Sequence, residues 1–138
     1  AKLLFAYGEA TIPIVTVTIR KSYGGAHDAL SCKQLRGDFN YAWPTAEIAV
    51  MGSGGAIEVL EGKTIAAMTD EAERKAYIAE KENEYKEKFA NPYEAAAYGY
   101  IDDVIEPRNT RFRVIRAFEA LQTKKVLNPP RKHANMPL

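Results

Sequence analysis

Thr11-Ile12-Pro13-Ile14-Val15-Thr16-Val17-Thr18-Ile19-Arg20-Lys21-Ser22-Tyr23-Gly24-Gly25-Ala26 is the stretch that decides the fold. From Thr11 to Arg20 the residues are β-branched and alternate. Val15, Val17 and Ile19 fall on one face, and Ile14, Thr16 and Thr18 on the other, which is the period of a strand. Pro13 is tolerated near a strand's start. Ser22-Tyr23-Gly24-Gly25 then interrupts the pattern, and Ala26 to Leu35 suits a short helix. A strand feeding a glycine-rich turn and a helix marks an α/β chain. Bare α-carbons at Gly24 and Gly25 let a ligand approach the backbone, and the first-turn N–H groups of the helix have no intrahelical partner. That arrangement suits an oxyanion such as an enolate, carboxylate or phosphate. A plain turn without a ligand explains the same residues, and local pattern alone favours it.

Outward from this stretch, Lys2 to Ala10 reads as a helix with Leu3, Leu4 and Tyr7 on one face. Gly37 to Trp43 reads as extended. From Pro44 to Leu60 the apolar residues fall nearly all round a helix, which predicts a buried helix or helix pair interrupted at Gly52, Gly54 and Gly55. Asp70 to Ala90 is a charged helix with Asp70 and Glu73 at its start and the pairs Glu71–Lys75, Glu82–Lys86 and Glu84–Lys88 along it. Asn91 and Pro92 open another helix, which Gly99 ends. Ile101 to Ile105 is a short apolar piece. Phe112 to Lys125 is a last amphipathic helix, with Val114, Ile115, Phe118 and Leu121 expected inward. Two extended segments cannot make a stable sheet alone, so further strands are expected from preceding sequence or another chain. The first residues, Ala1 to Tyr7, lack an initiator Met and read as the middle of a helix, which predicts a piece of something longer.

Composition narrows the function classes. The 138 residues suffice for one core, and the net charge of +1 offers no basic excess for nucleic acid. Cys32 is the single cysteine, so no internal disulfide can form and a reducing compartment is expected. The longest apolar run, Ile12 to Ile19, is too short to span a bilayer.

Other candidate chemistry is weaker. His27 and Asp28 could form an acid–base pair, but neighbours on a helix point about 100° apart, and Asp28 equally suits the positive end of the helix. Cys32 reads better as a small buried apolar residue than as a nucleophile. His27, Cys32 and His133 have no metal-ligand spacing, so no metal is predicted. Asp102-Asp103 reads as a turn or cap rather than a catalytic pair. The basic tail from Lys124 to His133 could meet a phosphate such as that of coenzyme A, though an interface or solvated role is favoured. Gly52-Ser53-Gly54-Gly55 lacks the Lys and Ser/Thr of a phosphate-binding P-loop.

Longer strings of residues go further. Thr11 to Val17, Arg20 to Ala26, Leu35 to Asp38, Asn40 to Gly52, Ile101 to Ile105, Thr110-Arg111 and Arg131 to Leu138 together resemble the biotin-dependent acyl-CoA carboxyltransferase family, especially propionyl-CoA carboxylase β subunits. The run Tyr41-Ala42-Trp43-Pro44-Thr45-Ala46-Glu47 is the specific part. The resemblance implies an α/β, crotonase-like (ClpP/crotonase) spiral of ββα units. Residues 1–138 would be the C-terminal part of the second, C-terminal carboxyltransferase domain, with the N-domain absent.

The resemblance also implies the chemistry. The family moves a carboxyl group from N-carboxybiotin to the α-carbon of an acyl-CoA without a side-chain nucleophile. Carboxybiotin releases CO2, backbone N–H groups hold the biotin oxygen, biotin takes the α-proton, and the acyl-CoA enolate attacks CO2. The C-domain oxyanion hole maps to the Gly25 and Ala26 amides, within a biotin-facing turn made by Tyr23, Gly24, Gly25 and Ala26. Asp28 and its neighbour His27 match positions tied to acyl-chain selection. Asp28 leans towards short acyl groups, whereas His27, Cys32 and Gln34 depart from the commoner Tyr, Ser and His.

Propionyl-CoA is therefore the expected substrate, and the piece alone is expected to be inactive. Biotin on a carrier domain, a biotin carboxylase subunit and dimer-based homo-oligomers, a hexamer for the full subunit, are the implied cofactor and partners. The location implied is cytoplasmic, or the mitochondrial matrix in a eukaryote. Two alternatives stand beside this. One is the carboxyltransferase subunit of a methylmalonyl- or glutaconyl-CoA decarboxylase, coupled to a membrane sodium pump. The other is an inactive folded remnant serving oligomerisation only.

Overall fold

The computed structural model describes residues 2–130. Helix α1 (Lys2–Glu9) precedes strand β1 (Val15–Thr18), strand β2 (Lys21–Tyr23) and helix α2 (Gly24–Ala29). A single 3-10 turn (Lys33–Leu35) leads to β3 (Phe39–Ala42), β4 (Glu47–Ala49) and α3 (Ser53–Ala67). Then follow α4 (Glu71–Lys88), α5 (Pro92–Ala97), β5 (Asp103–Val104), a second 3-10 turn (Pro107–Asn109) and α6 (Thr110–Ala120).

The strand–strand–helix unit occurs twice, as β1-β2-α2 and β3-β4-α3, and the two copies stack. One parallel sheet has the order β1-β3-β5, and a second pairs β2 with β4, also in parallel. Register runs Val15↔Phe39 to Thr18↔Ala42 in the first sheet and Lys21↔Glu47 to Tyr23↔Ala49 in the second. Each unit therefore sends its first strand to one sheet and its second strand to the other. This is the ββα spiral that the resemblance implies.

The expected single strand from Thr11 to Arg20 is divided. The chain leaves the first sheet at Thr18, whose carbonyl accepts from Trp43 N, and enters the second after Arg20, whose carbonyl accepts from Glu47 N at 2.6 Å. Alternation continues through this corner, so the pattern could not show the change of sheet. The expected helix over 26–35 is cut short as well. Ser31 takes left-handed backbone, with a φ of 66°, between α2 and the 3-10 turn, and Arg36, with a φ of 69°, ends that turn.

The apolar run after Pro44 is not all helix. Ala46 and Ile48 are buried on alternate positions, and Glu47–Ala49 is a strand, because a short apolar run fits both periods. Nor is α3 buried all round. Ser53, Ala56 and Ile57 are buried, whereas Val59 and Leu60 are 73% and 67% exposed. In α6 the packed face lies about one residue away from the expected one. Ala117 is buried, and Ile115 and Phe118 are exposed. Ala117 is small enough to let α6 approach Tyr41 and Ile105, with which it forms a core cluster alongside Val15, Val17, Phe39 and Trp43. The other cluster joins Ala42, Ala46, Ile48, Ala95 and Ile101.

Helix termini follow the expected signals. The Asp70 side chain accepts from Ala72 N and Glu73 N, and Asn91 accepts from Glu94 N with Pro92 in the first turn. Gly99 closes α5 at a φ of 73°. Of the three i, i+4 pairs expected on α4, Glu71–Lys75 forms at 2.7 Å, while Glu84 instead meets Lys81 at 2.8 Å. No helix among the described residues is long and apolar enough to cross a membrane.

Candidate oxyanion turn at the end of β2

The turn lies where β2 becomes α2, beside the equivalent β4-to-α3 turn. Parallel pairing of β2 with β4 brings the two glycine-rich turns side by side. Tyr23 is the N-cap of α2, with extended backbone and no side-chain cap bond. Gly24 has a φ of 49°, and a Cβ there would stand 2.7 Å from the Val50 carbonyl oxygen. Both the conformation and the close approach require glycine. At Gly25 nothing lies within 4 Å of where a Cβ would be, so packing within the chain makes no such demand. Gly25 and Ala26 are both exposed. They occupy the first turn of α2, where N–H groups have no intrahelical acceptor.

The flanking side chains divide differently from a His–Asp pair. His27 Nδ1 lies 2.9 Å from Ser22 Oγ on the preceding strand. The Asp28 carboxylate instead faces the Cys32 thiol, at 3.7 Å. Their divergence follows from the helical rotation between neighbours. Cys32 is almost fully buried, and burial above all, with Asp28 beside it, raises its thiol pKa. Burial disfavours the thiolate, the form in which a cysteine acts as a nucleophile.

Tyr23 is engaged with the neighbouring β4–α3 segment. Its hydroxyl donates to Glu47 on β4, and its ring lies against Gly52, where a Cβ would come within 3.3 Å of Cε2. Desolvation first, and then the Glu47 carboxylate, push the phenol pKa up to about 12, so it is a neutral donor at ordinary pH. Glu47, Val50 and Gly52 are contributors that the reading of β2 and α2 alone missed. The glycine ending the apolar run at Gly52 was the available signal.

Other candidates separate. Asp102 accepts from Asn40 N at 2.8 Å and pairs with Lys33, while Asp103 pairs with Arg113. The two carboxylates thus brace different elements. Lys124 is held by Asp38 and the Ile12 carbonyl. His133 and the 131–138 string lie outside the described residues. Among the described residues, no group of three His, Cys, Asp or Glu side chains could hold a metal ion.

Residues 1–136 match the family described as the carboxyl transferase domain, and the chain belongs to that family. It is 57% identical over its whole length to the propionyl-CoA carboxylase beta chain of Cereibacter sphaeroides, and 51% identical to the mitochondrial one of Homo sapiens. Among solved structures it is similar to a transcarboxylase 12S hexamer with methylmalonyl-coenzyme A and methylmalonic acid bound, at a TM-score of 0.88 and 47% identity over 99% of the chain. The chain spans about a quarter of these proteins, 26%, 24% and 26% in turn. The crotonase-like α/β class follows from the stacked ββα units and from these carboxyltransferase neighbours.

Proposed function

We propose that residues 1–138 form the C-terminal part of the C-domain of a biotin-dependent acyl-CoA carboxyltransferase, and that the Tyr23–Ala26 turn is its biotin-facing half-site. One observation carries the reading most directly. Gly24 is bare because the chain packs against it, whereas Gly25 is bare on an open, exposed face beside free first-turn amides. That is the surface a ureido oxygen needs for close approach.

Biotin fits this donor set, since two backbone N–H groups suit a carbonyl-type oxygen and no side chain obstructs Gly25. When bound, N-carboxybiotin supplies the carboxyl group. The chain's own task is to hold Gly25 N–H and Ala26 N–H where negative charge builds on the ureido oxygen as the carboxyl group departs. Fixed donors need no reorganisation at that moment. Neither the Cys32 thiol nor the His27–Ser22 pair is needed for the transfer. The acceptor is a short acyl-CoA, propionyl-CoA first, and Asp28 and His27 border the space that selects it. The carboxylase names of the relatives favour this reading over a decarboxylase or an inactive remnant.

Biotin on its carrier, a biotin carboxylase subunit, a homo-oligomer up to a hexamer, and a cytoplasmic or mitochondrial-matrix location complete the proposal. Ala26→Pro in the full-length subunit tests it, because proline deletes the Ala26 N–H near the helix start. Carboxyl transfer should fall about 10²–10³-fold, with circular dichroism unchanged. Wild-type transfer by a folded Ala26→Pro enzyme rejects the site.

A further inference from the structure

We infer that Tyr23 is a positioning residue: its hydroxyl, anchored on Glu47, and its ring, seated on Gly52, set where the Gly25 and Ala26 amides stand. The inference rests on the reading of that turn as the biotin half-site.

The start of α2 cannot hold itself. The helix is six residues long and has no side-chain cap, and a helix so short is not stable on its own. Its placement comes from tertiary contacts: α1 packs on α2, His27 Nδ1 meets Ser22 Oγ, and the residues just before the amides are held by a neighbouring segment. Three contacts hold those residues, all on the β4–α3 segment. The Tyr23 hydroxyl donates to the Glu47 carboxylate. The ring faces Gly52, with Cε2, Cδ2 and Cζ at 3.3, 3.7 and 3.8 Å from the position of a Cβ. Gly24 faces the Val50 carbonyl. Glu47 stands opposite Lys21, two residues before the partner of Tyr23 in the β2–β4 register, so the phenol reaches diagonally back along β4 while its ring covers the start of α3. The hydroxyl bond is charge-assisted and the phenol stays protonated, with a pKa of about 12. The Gly52 backbone is bare where the ring needs it. A methyl there would press on the ring, which would have to give by a few tenths of an ångström.

The test uses the full-length subunit assembled with its biotin-carrying partner. Tyr23→Phe keeps the ring and removes the anchor. The expected result is a fall of about tenfold or more in kcat/KM for the carboxylated carrier, since small misplacements of catalytic donors are costly. KM for propionyl-CoA and the thermal transition should stay close to wild type. Glu47→Ala should reproduce that loss, and Glu47→Gln, which keeps an acceptor for the phenol, should restore most of it. Wild-type kcat/KM for the carrier in Tyr23→Phe overturns the inference. So does an equal loss towards both substrates accompanied by a lowered thermal transition, which would mark a merely structural tyrosine. If Ala26→Pro abolishes transfer while Tyr23→Phe does nothing, only the brace is wrong. If folded Ala26→Pro is fully active, the half-site reading fails and the inference falls with it.

Discussion

Single residues around the turn separate packing from chemistry. Gly24 is fixed by its left-handed backbone and by the Val50 carbonyl, Cys32 by burial, and Tyr23 by Glu47 and Gly52. Asp28 differs. It is exposed, and among the described residues its carboxylate makes one long contact, with the Cys32 thiol at 3.7 Å. Asp28→Ile should therefore leave folding intact while shifting relative rates with acetyl-, propionyl- and butyryl-CoA. Differences of about 10–200-fold per methylene are what an apolar pocket can impose. Unchanged ratios across the three substrates would remove Asp28 from acyl selection.

Elements differ in how local their causes are. Helix α4 is charged and half-solvated, and its first turn is closed by the Asp70 carboxylate on Ala72 N and Glu73 N. It then packs on α3, with the Tyr77 hydroxyl donating to Glu61 at 3.1 Å, and on the turn before it, where the Tyr85 hydroxyl donates to the Met51 carbonyl at 3.3 Å. Asp70→Ala should cost about 1 kcal/mol, seen as faster amide exchange over the first turn of α4 in hydrogen-exchange mass spectrometry. Protection equal to wild type there would show that the α3 contact, not the cap, holds the helix end. The β elements are of the opposite kind. β2, β4 and β5 are two or three residues long, and such strands persist only because parallel neighbours and a shared core support them.

At the scale of the whole molecule, the most sheltered ion pair among the described residues joins distant segments. Lys124 Nζ, beyond the end of α6, lies 2.7 Å from Asp38 Oδ2 and 2.8 Å from the Ile12 carbonyl oxygen, and Asp38 also accepts from Ile14 N. The two side chains are 10% and 17% exposed. Removing one partner leaves the other charge sheltered and uncompensated. Lys124→Met should cost up to about 3 kcal/mol, read as a lowered thermal transition of the carboxyltransferase subunit. The double variant Lys124→Met with Asp38→Asn should recover part of that loss. No recovery would mean that the lysine acts through packing alone.

How much was legible in advance follows from what each signal depends on. Caps at Asp70 and Asn91, the glycine stop at Gly99, the existence of a strand between Thr11 and Arg20 and the glycine turn are local matters of hydrogen bonding and allowed backbone angles, so the sequence by itself determined them, whereas the strand's bounds at Val15–Thr18 were not among them. The long string from Asn40 to Gly52, together with the strings on either side of it, pointed to the family for the same reason, since it needs no contact map. What only the tertiary structure decided depends on residues far apart in the chain. The corner at Ile19 and Arg20, the strand at Glu47–Ala49 and the packed face of α6 are set by pairing and by close approach of small residues such as Ala117. The candidate oxyanion turn belongs to both kinds. Its glycines were readable, but the reason Gly24 must be bare is the Val50 carbonyl just past the end of β4, which no local pattern contains.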